Sequence, residues 1–163
     1  MPEVIANTSP LQYLFQLGLL QLLPDFYAEV SVPAGVVQEV HSGITRGVAL
    51  PDLDSLPWLR ICEARNAALL PLAVSLGAGE REVLALAVER VDPLVILDDA
   101  LARRFAVRLR LRLTGTLGLL LKAKETGRIE SVRPYLDRLE DLSFRLDGAT
   151  RRSVLTLANE RSG

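Results

Sequence analysis

Short apolar segments alternate with longer helix-like segments along the chain. Val4–Ala6, Glu29–Val32 and Leu94–Leu97 are typical of short strands, and the last is apolar throughout, as in strands that a parallel sheet buries on both faces. Strands that alternate with helices predict an α/β fold around a mainly parallel sheet. Apolar residues at three- and four-residue intervals predict helices from about Pro10, from Pro33 to about His41, from Glu80 to Arg90, from about Ala100 and from Leu117 to Glu125.

Other segments have weaker or different patterns. Arg108–Leu113 alternates strictly between basic and apolar residues, which predicts a strand with one apolar and one basic face. Trp58–Cys62 alternates weakly and is either an edge strand or a loop. Gly43 is expected to end the second of the predicted helices. The tail, residues 131–160, predicts two more amphipathic helices separated near Asp147–Gly148.

The composition indicates one domain and limits its partners. The chain has 163 residues, of which 49% are hydrophobic, and this is enough to bury a substantial core. Because the net charge is −1, any surface that binds nucleic acid must be local. Leu11–Leu23 is the longest apolar-leaning stretch, and it is too short to span a bilayer. Glu3 stands where a secretory leader has basic residues, and Cys62 is the only cysteine, so we expect a soluble cytoplasmic protein with no membrane partner and no internal disulfide.

Two adjacent acids are the strongest chemical signal. Asp98 and Asp99 directly follow the apolar segment Leu94–Leu97 and precede a predicted helix. In open parallel sheets, ligands bind outside the carboxyl ends of the strands. Two carboxylates held close together repel each other unless a cation lies between them, so the pair predicts a divalent metal site. Alternatively, one of the two acids only caps the following helix.

Three further polar residues occupy positions where they can meet this pair. Asn7 follows the first strand, Glu80 heads an apolar helix stripe, and Glu39 shares a helix face with Gly35. The two glutamates have structural alternatives. Glu80 lies in a first helical turn, where the helix dipole stabilises an acid, and Glu39 is a helix glutamate, a residue that is usually solvated. Glu82, two residues after Glu80, is expected to lie on the surface.

The candidate nucleic-acid contacts are basic and hydroxyl side chains near the acid pair. Arg103 and Arg104 follow it closely, and arginines beside a metal site commonly bind phosphates. Alternatively, these arginines pair with the neighbouring acids. Thr116, in a predicted turn, can bind a phosphate oxygen or cap a helix. Aromatic residues make up only 5% of the chain, so base stacking is not expected.

Five segments in order resemble the PIN-like domain family, in its branch with an Asn/Asp-x-Ser-Pro-Leu opening. The resemblance implies a three-layer α/β/α fold with a mainly parallel sheet, as one domain over residues 1–163 with extra C-terminal helices from about residue 131. Members of this branch resemble toxins of prokaryotic toxin–antitoxin pairs. The matching segments are Val4–Leu11, Val32–Glu39, Gly77–Ala87, Leu97–Ala106 and Thr114–Ile129.

The resemblance also implies a function and assigns roles to residues. It implies a type II toxin that is an Mg²⁺- or Mn²⁺-dependent endoribonuclease, with a small cognate antitoxin, an RNA substrate and a homodimeric state. The catalytic positions of the family fall on Asn7, Glu39, Glu80 and on Asp98 or Asp99, and all but Asn7 are the implied metal ligands. Arg103, Arg104 and Thr116 are the expected RNA contacts.

One departure from the family pattern leaves a second function open. Asn7 stands where the family has its first acid, and its amide offers a metal an oxygen without a negative charge. The alternative function is therefore a catalytically weak or inactive PIN-like scaffold that binds a protein or RNA. A third alternative is a phosphoacceptor receiver domain, which also has an acid pair at strand ends. In receiver domains that pair lies near the N-terminus, whereas here the pair Asp98–Asp99 comes late in the chain.

Overall fold

The computed structural model of the protein describes residues 2–65 and 76–161. The chain forms two compact units, Met1–Gly115 and Thr116–Gly163. The first unit contains the whole described sheet and the acids singled out above, and the second consists of helices. In these described ranges, no helix has both the length and the apolar composition that a membrane span requires.

The first unit is built on five parallel strands. Their order across the sheet is β3-β2-β1-β4-β5, and all four pairings are parallel. Ile5 in the central strand lies opposite Ser31 on one side and Val95 on the other. The expected α/β class with a mainly parallel sheet is therefore confirmed. The strands are β1 (Val4–Ala6), β2 (Val30–Pro33), β3 (Leu59–Cys62), β4 (Leu94–Ile96) and β5 (Arg112–Thr114).

The strand order excludes the receiver alternative. A receiver sheet has the order β2-β1-β3-β4-β5, in which the first strand lies between the second and the third. Here β1 lies between β2 and β4, and β3 is at the edge. The weakly alternating Trp58–Cys62 segment is thus an edge strand, and the prediction of a loop there is wrong.

Five α-helices of the first unit are described. Their buried faces and the strands β1, β2 and β4 form a core of aliphatic side chains, including Ile5, Leu84 and Ile96 at 0% exposure. Helices α3 and α4 pack against each other and against the sheet. The helices are α1 (Thr8–Gln16), α2 (Leu22–Tyr27), α3 (Ala34–Thr45), α4 (Ala78–Val88) and α5 (Ala100–Arg108), with a 3₁₀ turn at Leu53–Ser55.

The second unit contains α6 (Thr116–Glu125), α7 (Arg133–Asp141) and α8 (Gly148–Leu157). The two predicted tail helices and their boundary at Asp147 are confirmed, since the Asp147 carboxylate accepts a hydrogen bond from Thr150 N and caps α8. Glu160 joins the ends of the unit, because its carboxylate accepts hydrogen bonds from Lys124 Nζ at 3.0 Å and from Val132 N at 2.8 Å.

Two helix boundaries differ from the prediction. The first helix begins at Thr8, two residues before Pro10, and a separate helix, α2, follows it. Pro24 lies in the first turn of α2, where the missing N–H would have no helical partner in any case. Gly43 does not end α3, which continues to Thr45. The glycine serves packing instead, because the Leu50 side chain fills the space that a Cβ at Gly43 would need.

The basic and apolar alternation of Arg108–Leu113 is not one strand. Helix α5 extends to Arg108, Arg110 has a left-handed backbone with φ +59, and β5 begins only at Arg112. Alternation over a few residues therefore coincided here with a helix end and a turn. The arginines of this segment do not line one face of a sheet edge.

Candidate metal and RNA site

The candidate site lies at the carboxyl edge of β1 and β4. The chain proceeds from β1 outward to β2 and β3 on one side, whereas β4 and β5 lie on the other, so the direction of the connections changes between β1 and β4. Ligands of open α/β sheets bind at such a switch point. The two strand ends are joined directly, because Asn7 N donates a hydrogen bond to Ile96 O at 3.1 Å.

Asn7 presents a polar atom with unsatisfied hydrogen-bonding capacity. The residue is 3% exposed and begins α1 as its N-cap, but its side chain makes no capping hydrogen bond. Within the described residues, no donor reaches its Oδ1 atom. A buried carbonyl oxygen without a donor costs about 1–3 kcal/mol. Such an atom is suited to a cation or a water molecule as its partner.

Glu39 is fixed by two groups from distant parts of the chain. Thr8 Oγ1 donates to its Oε2 at 2.6 Å, and Gly79 N donates to its Oε1 at 3.0 Å. A Cβ at Gly79 would lie 2.7–2.8 Å from the Glu39 carboxylate, so only glycine lets α4 begin this close to α3. The solvated alternative for Glu39 is excluded, because the side chain bridges three helices.

Glu80 has a strongly perturbed acid–base equilibrium. Burial, followed by the negative charges of Asp99 and Glu39, raises the pKa of the Glu80 carboxyl to about 7. Both Glu80 and Glu39 approach within 4 Å of the position that a Cβ at Gly77 would have. Because three carboxylates influence one another here, a proton or a cation is needed to relieve their repulsion.

The two adjacent aspartates have different roles. Asp99 is the N-cap of α5, since its Oδ2 accepts a hydrogen bond from Ala102 N at 2.9 Å, and this agrees with the capping alternative for one of the pair. Asp98 is partly buried beside Gly115, where a Cβ would lie 2.7 Å from its Oδ1. Burial and the charge of Asp98 raise the pKa of Tyr13, so α1 also faces this acid.

The three expected RNA contacts differ in how accessible their side chains are to a ligand. Arg103 donates to Leu97 O at 2.8 Å, and this bond holds its guanidinium beside Asp98. Arg104 is exposed and lines, with Arg103, an open groove of about 390 Å³ along α5 and β5. Thr116 begins α6 in the second unit and is fully buried, so its side chain has no solvent-facing surface.

The donor set fits a hard divalent cation in chemistry. Every candidate ligand is an oxygen, and Mg²⁺ commonly binds proteins through one or two carboxylates while it keeps several waters. In the described part of the chain, no three acidic, histidine or cysteine side chains already form a cation cluster. Direct binding therefore fits one or two of these acids together with the unpartnered Asn7 oxygen, better than a cage made only of protein ligands.

Several residues that shape the site were missed by the sequence reasoning. Gly79 was not predicted to take part in the site, yet it lets the Glu39 carboxylate approach the start of α4. A glycine directly before a helix-borne acid was the available signal for such a close approach. Glu82, expected at the surface, is only partly exposed, and its carboxylate lies in the space that a Cβ at Gly35 would need.

A parallel sheet with acids at its switch point is typical of metal-dependent α/β hydrolases, and comparison with protein families defines the class more narrowly. The model of the PIN-domain family DUF3368 matches residues 3–160. The protein belongs to this family, and its PIN-like three-layer α/β/α fold with additional C-terminal helices is confirmed. PIN domains have nuclease-type functions. No curated protein and no solved structure gives a significant match to the chain.

Proposed function

We propose that this protein is a metal-dependent endoribonuclease, the toxin of a type II toxin–antitoxin pair, which hydrolyses RNA phosphodiester bonds. The observation that carries the proposal is the half-buried Glu80 carboxyl, whose pKa is raised to about 7 by burial and then by the charges of Asp99 and Glu39. Perturbed carboxyl groups in a cluster mark functional sites more often than structural ones. The unpartnered Asn7 oxygen at the adjoining strand end supports the same site.

The residues that would hold Mg²⁺ or Mn²⁺ are Glu39, Glu80, Asp98 and Asp99, one or two of them directly and the others through waters of the cation, with Asn7 as a neutral ligand. Such a cation, when bound, supplies Lewis-acid activation of the phosphate and of water. Thr8 and Gly79 orient Glu39 by hydrogen bonds, so this carboxylate needs no rearrangement to act. The burial of Asn7 at the β1 end excludes bulk water from one side of the site.

The RNA backbone is bound on the α5 side of the acids. Arg103 is anchored at the end of β4 and directs positive charge to Asp98 and to any phosphate beside it. Arg104 is exposed, and among the described residues no acid pairs with it. Arginine forks bind phosphate oxygens in pairs, and we assign backbone binding to these two residues.

Exposed apolar side chains support the proposed protein partners. Val107 is 64% exposed and lines one groove with Leu113, which suits association with a small antitoxin or with a second copy of the chain. A small cognate antitoxin, a homodimer and a cytoplasmic site of action complete the proposal.

A second candidate function is a scaffold that binds RNA or a protein without cutting it. The neutral Asn7 favours it, because an amide contributes no charge to cation binding. In the described ranges, no set of three acids is already clustered for a cation, which also favours it. The substitution Asn7→Asp separates the two functions. In a nuclease it is expected to raise the affinity for Mn²⁺ and the cleavage rate, whereas a scaffold gains neither.

The test combines isothermal titration with Mn²⁺ and an RNA-cleavage assay. Saturable binding and metal-dependent cleavage are expected for the natural chain. Glu80→Gln and Asp98→Asn are expected to lose cleavage by about 100-fold or more, as when a group that stabilises the transition state is removed. Growth arrest on expression should disappear in the same variants.

One control variant lies outside the site, and a second changes only a charge within it. Glu29→Gln removes an exposed acid that pairs with Arg60 and should leave cleavage unchanged. Asp99→Asn retains the helix cap, because Asn caps as well as Asp, and so tests the charge alone. Cleavage that persists in both Glu80→Gln and Asp98→Asn, with melting temperatures unchanged, would refute the nuclease proposal.

A further inference from the structure

A second groove, of about 450 Å³, lies in the first unit beside Glu39 and is not explained by the proposed cation site. This volume is in the range of roughly 300–1,000 Å³ that small-ligand sites occupy. The groove shares Thr8 and Glu39 with the candidate site, so an occupant lies next to the acids. Its polar lining comes from α1, from α3 and from the residue that directly follows α3. The lining residues are Thr8, Gln12, Gln38, Glu39, Ser42 and Arg46.

The polar groups of this groove are largely without protein partners. Among the described residues, no hydrogen bond or ion pair engages the side chains of Gln12, Gln38 or Arg46. Nearby Gln16 is different, because its amide donates to Ala49 O at 3.0 Å and ties the segment after α3 to α1. Gln38 and Arg46 are exposed, so a ligand can reach their side chains without breaking a contact within the protein.

The charge distribution indicates how a ligand is oriented. Arg46 places a guanidinium at the end of α3, whereas Glu39 places a carboxylate nearer its middle. An anionic group is therefore favoured at Arg46 and disfavoured at Glu39. Gln12 and Gln38 each offer a donor and an acceptor, as base edges require. Val48 and Leu50 supply apolar surface, and none of the described lining residues is aromatic, so recognition by the base edge is favoured over stacking.

We propose that this groove binds one nucleotide of a single-stranded RNA, next to the phosphodiester that is cut. Arg46 binds the phosphate of this nucleotide, and Gln12 and Gln38 contact the edge of its base. The groove is continuous with the acids through Thr8 and Glu39. The inference rests on the proposed function, which supplies RNA as the substrate class. It makes these three residues determinants of affinity and base preference, separate from the acids that support cleavage.

The test measures RNA binding without added divalent metal, so that binding is observed apart from cleavage. Fluorescence anisotropy is recorded for the full chain with labelled homopolymers of A, C, G and U of equal length, at several salt concentrations. Arg46→Ala should weaken all four complexes by about tenfold, the loss expected for one charge-assisted contact, and should lower the salt slope by about one. Gln12→Ala combined with Gln38→Ala should remove the preference among bases and leave the salt slope unchanged.

Matched controls and a conservative variant distinguish a binding role from a structural one. Gln21→Ala and Arg145→Ala remove exposed residues of the same types outside the groove and should change neither quantity. Arg46→Lys should recover the salt slope even where Arg46→Ala lowers the melting temperature. Equal affinity of the natural chain for all four homopolymers, or an effect of Arg46→Ala no larger than that of Arg145→Ala, would overturn the groove assignment.

The groove and the nuclease proposal fail separately. A base preference that the double glutamine variant loses, in a protein that cuts no RNA with Mn²⁺, supports the groove and refutes the proposed reaction. Metal-dependent cleavage with binding unaffected by all the groove variants supports the reaction and overturns the groove. RNA binding unaltered by Arg46→Ala, while binding of a protein partner is lost, also overturns the groove assignment in favour of a protein occupant.

Discussion

Glu80 in the first unit and Glu160 in the second are both shielded carboxylates, and their surroundings differ in kind. Glu80 faces other acids, and burial together with the charges of Asp99 and Glu39 raises its pKa to about 7. For Glu160, burial acts to raise the pKa, but hydrogen bonds from Val132 N, Lys124 and Arg133 N outweigh it and lower the pKa. The Glu160 carboxylate is thus stabilised by donors, whereas burial and neighbouring acids disfavour the charge of Glu80, an environment that is common at functional sites.

The largest expected effect comes from disturbing the crowded acids through the backbone. Gly79→Ala would place a Cβ 2.7–2.8 Å from the Glu39 carboxylate and displace it. We expect a loss of RNA cleavage of about 100-fold, the scale of effect of a displacement of about 1 Å in an active site. Single-turnover cleavage assays measure the loss.

Gly77→Ala is the matched control for this substitution. A Cβ at Gly77 meets no atom closer than 3.8 Å, so this variant should keep most of the activity. Equal losses in the two variants would show that the start of α4 tolerates no alanine at all, and the Glu39 contact would then not be the cause.

The second largest effect is expected at Glu160, the carboxylate that accepts hydrogen bonds from several donors. Glu160→Gln removes the charge that Lys124 pairs with at 3.0 Å and weakens the bonds from Val132 N and Arg133 N. We expect a loss of about 2 kcal/mol in the free energy of unfolding, typical of hydrogen bonds to a charged group. Urea denaturation measures it, with the exposed Glu130→Gln as control. A change within 0.5 kcal/mol, roughly the range of ordinary surface substitutions, would contradict the prediction.

The smallest expected effect is that the contributions of Glu80 and Glu160 to the free energy of unfolding change with pH in opposite directions. The Glu80 pKa lies above its unfolded value, so its stabilisation is complete below about pH 4.5 and is lost as the pH rises through about 7. The Glu160 pKa is lowered, so its stabilisation is present above the unfolded value and is lost as the pH falls through the folded value. Glu80→Gln mimics the protonated group and should exceed the natural chain in stability at pH 8, by about 1 kcal/mol after allowance for solvent screening.

Thermal melts between pH 5 and pH 8, without divalent metal, measure this difference. The natural chain and Glu80→Gln should be nearly equally stable at pH 5 and diverge as the pH rises. Added Mn²⁺ should stabilise the natural chain at pH 8 and have little effect on Glu80→Gln. Parallel curves at all pH values would mean that Glu80 carries no unrelieved charge, and the contrast with Glu160 would fail.

The sequence was sufficient for the elements whose patterns are set by burial. Neighbouring elements cover the strands Val4–Ala6 and Leu94–Ile96, so both are apolar. The local pattern therefore predicted both strands, and with the second strand the two acids that come after it. It was not sufficient where tertiary contacts decide. Gly43 looks like a helix end until Leu50 is seen packed against it, and Arg108–Leu113 has the period of a strand although its first residue ends a helix.

The candidate site could be predicted as a set of residues but not as a geometry. Asn7 and the two aspartates follow predicted strands, and the parallel topology then brought those strand ends to one edge. The division of roles between Asp98 and Asp99 depended on one hydrogen bond to Ala102 N, which spacing alone could not decide. The groove between Gln12 and Arg46 joins side chains far apart in sequence, and only the packing of α1 beside α3 reveals it.

The hydrogen bonds of Glu39 also bear on how the chain matures. Its two partners lie 31 and 40 residues away along the sequence, and Asp98 comes later still. Contacts between distant residues form slowly, because long stretches of chain must be ordered first. During translation, which proceeds from the N-terminus, the acids are assembled only once β4 has been synthesised and has paired with β1. The acids of the candidate site therefore come together only after β4 and Asp98 have been made, well after the helix that carries Glu39.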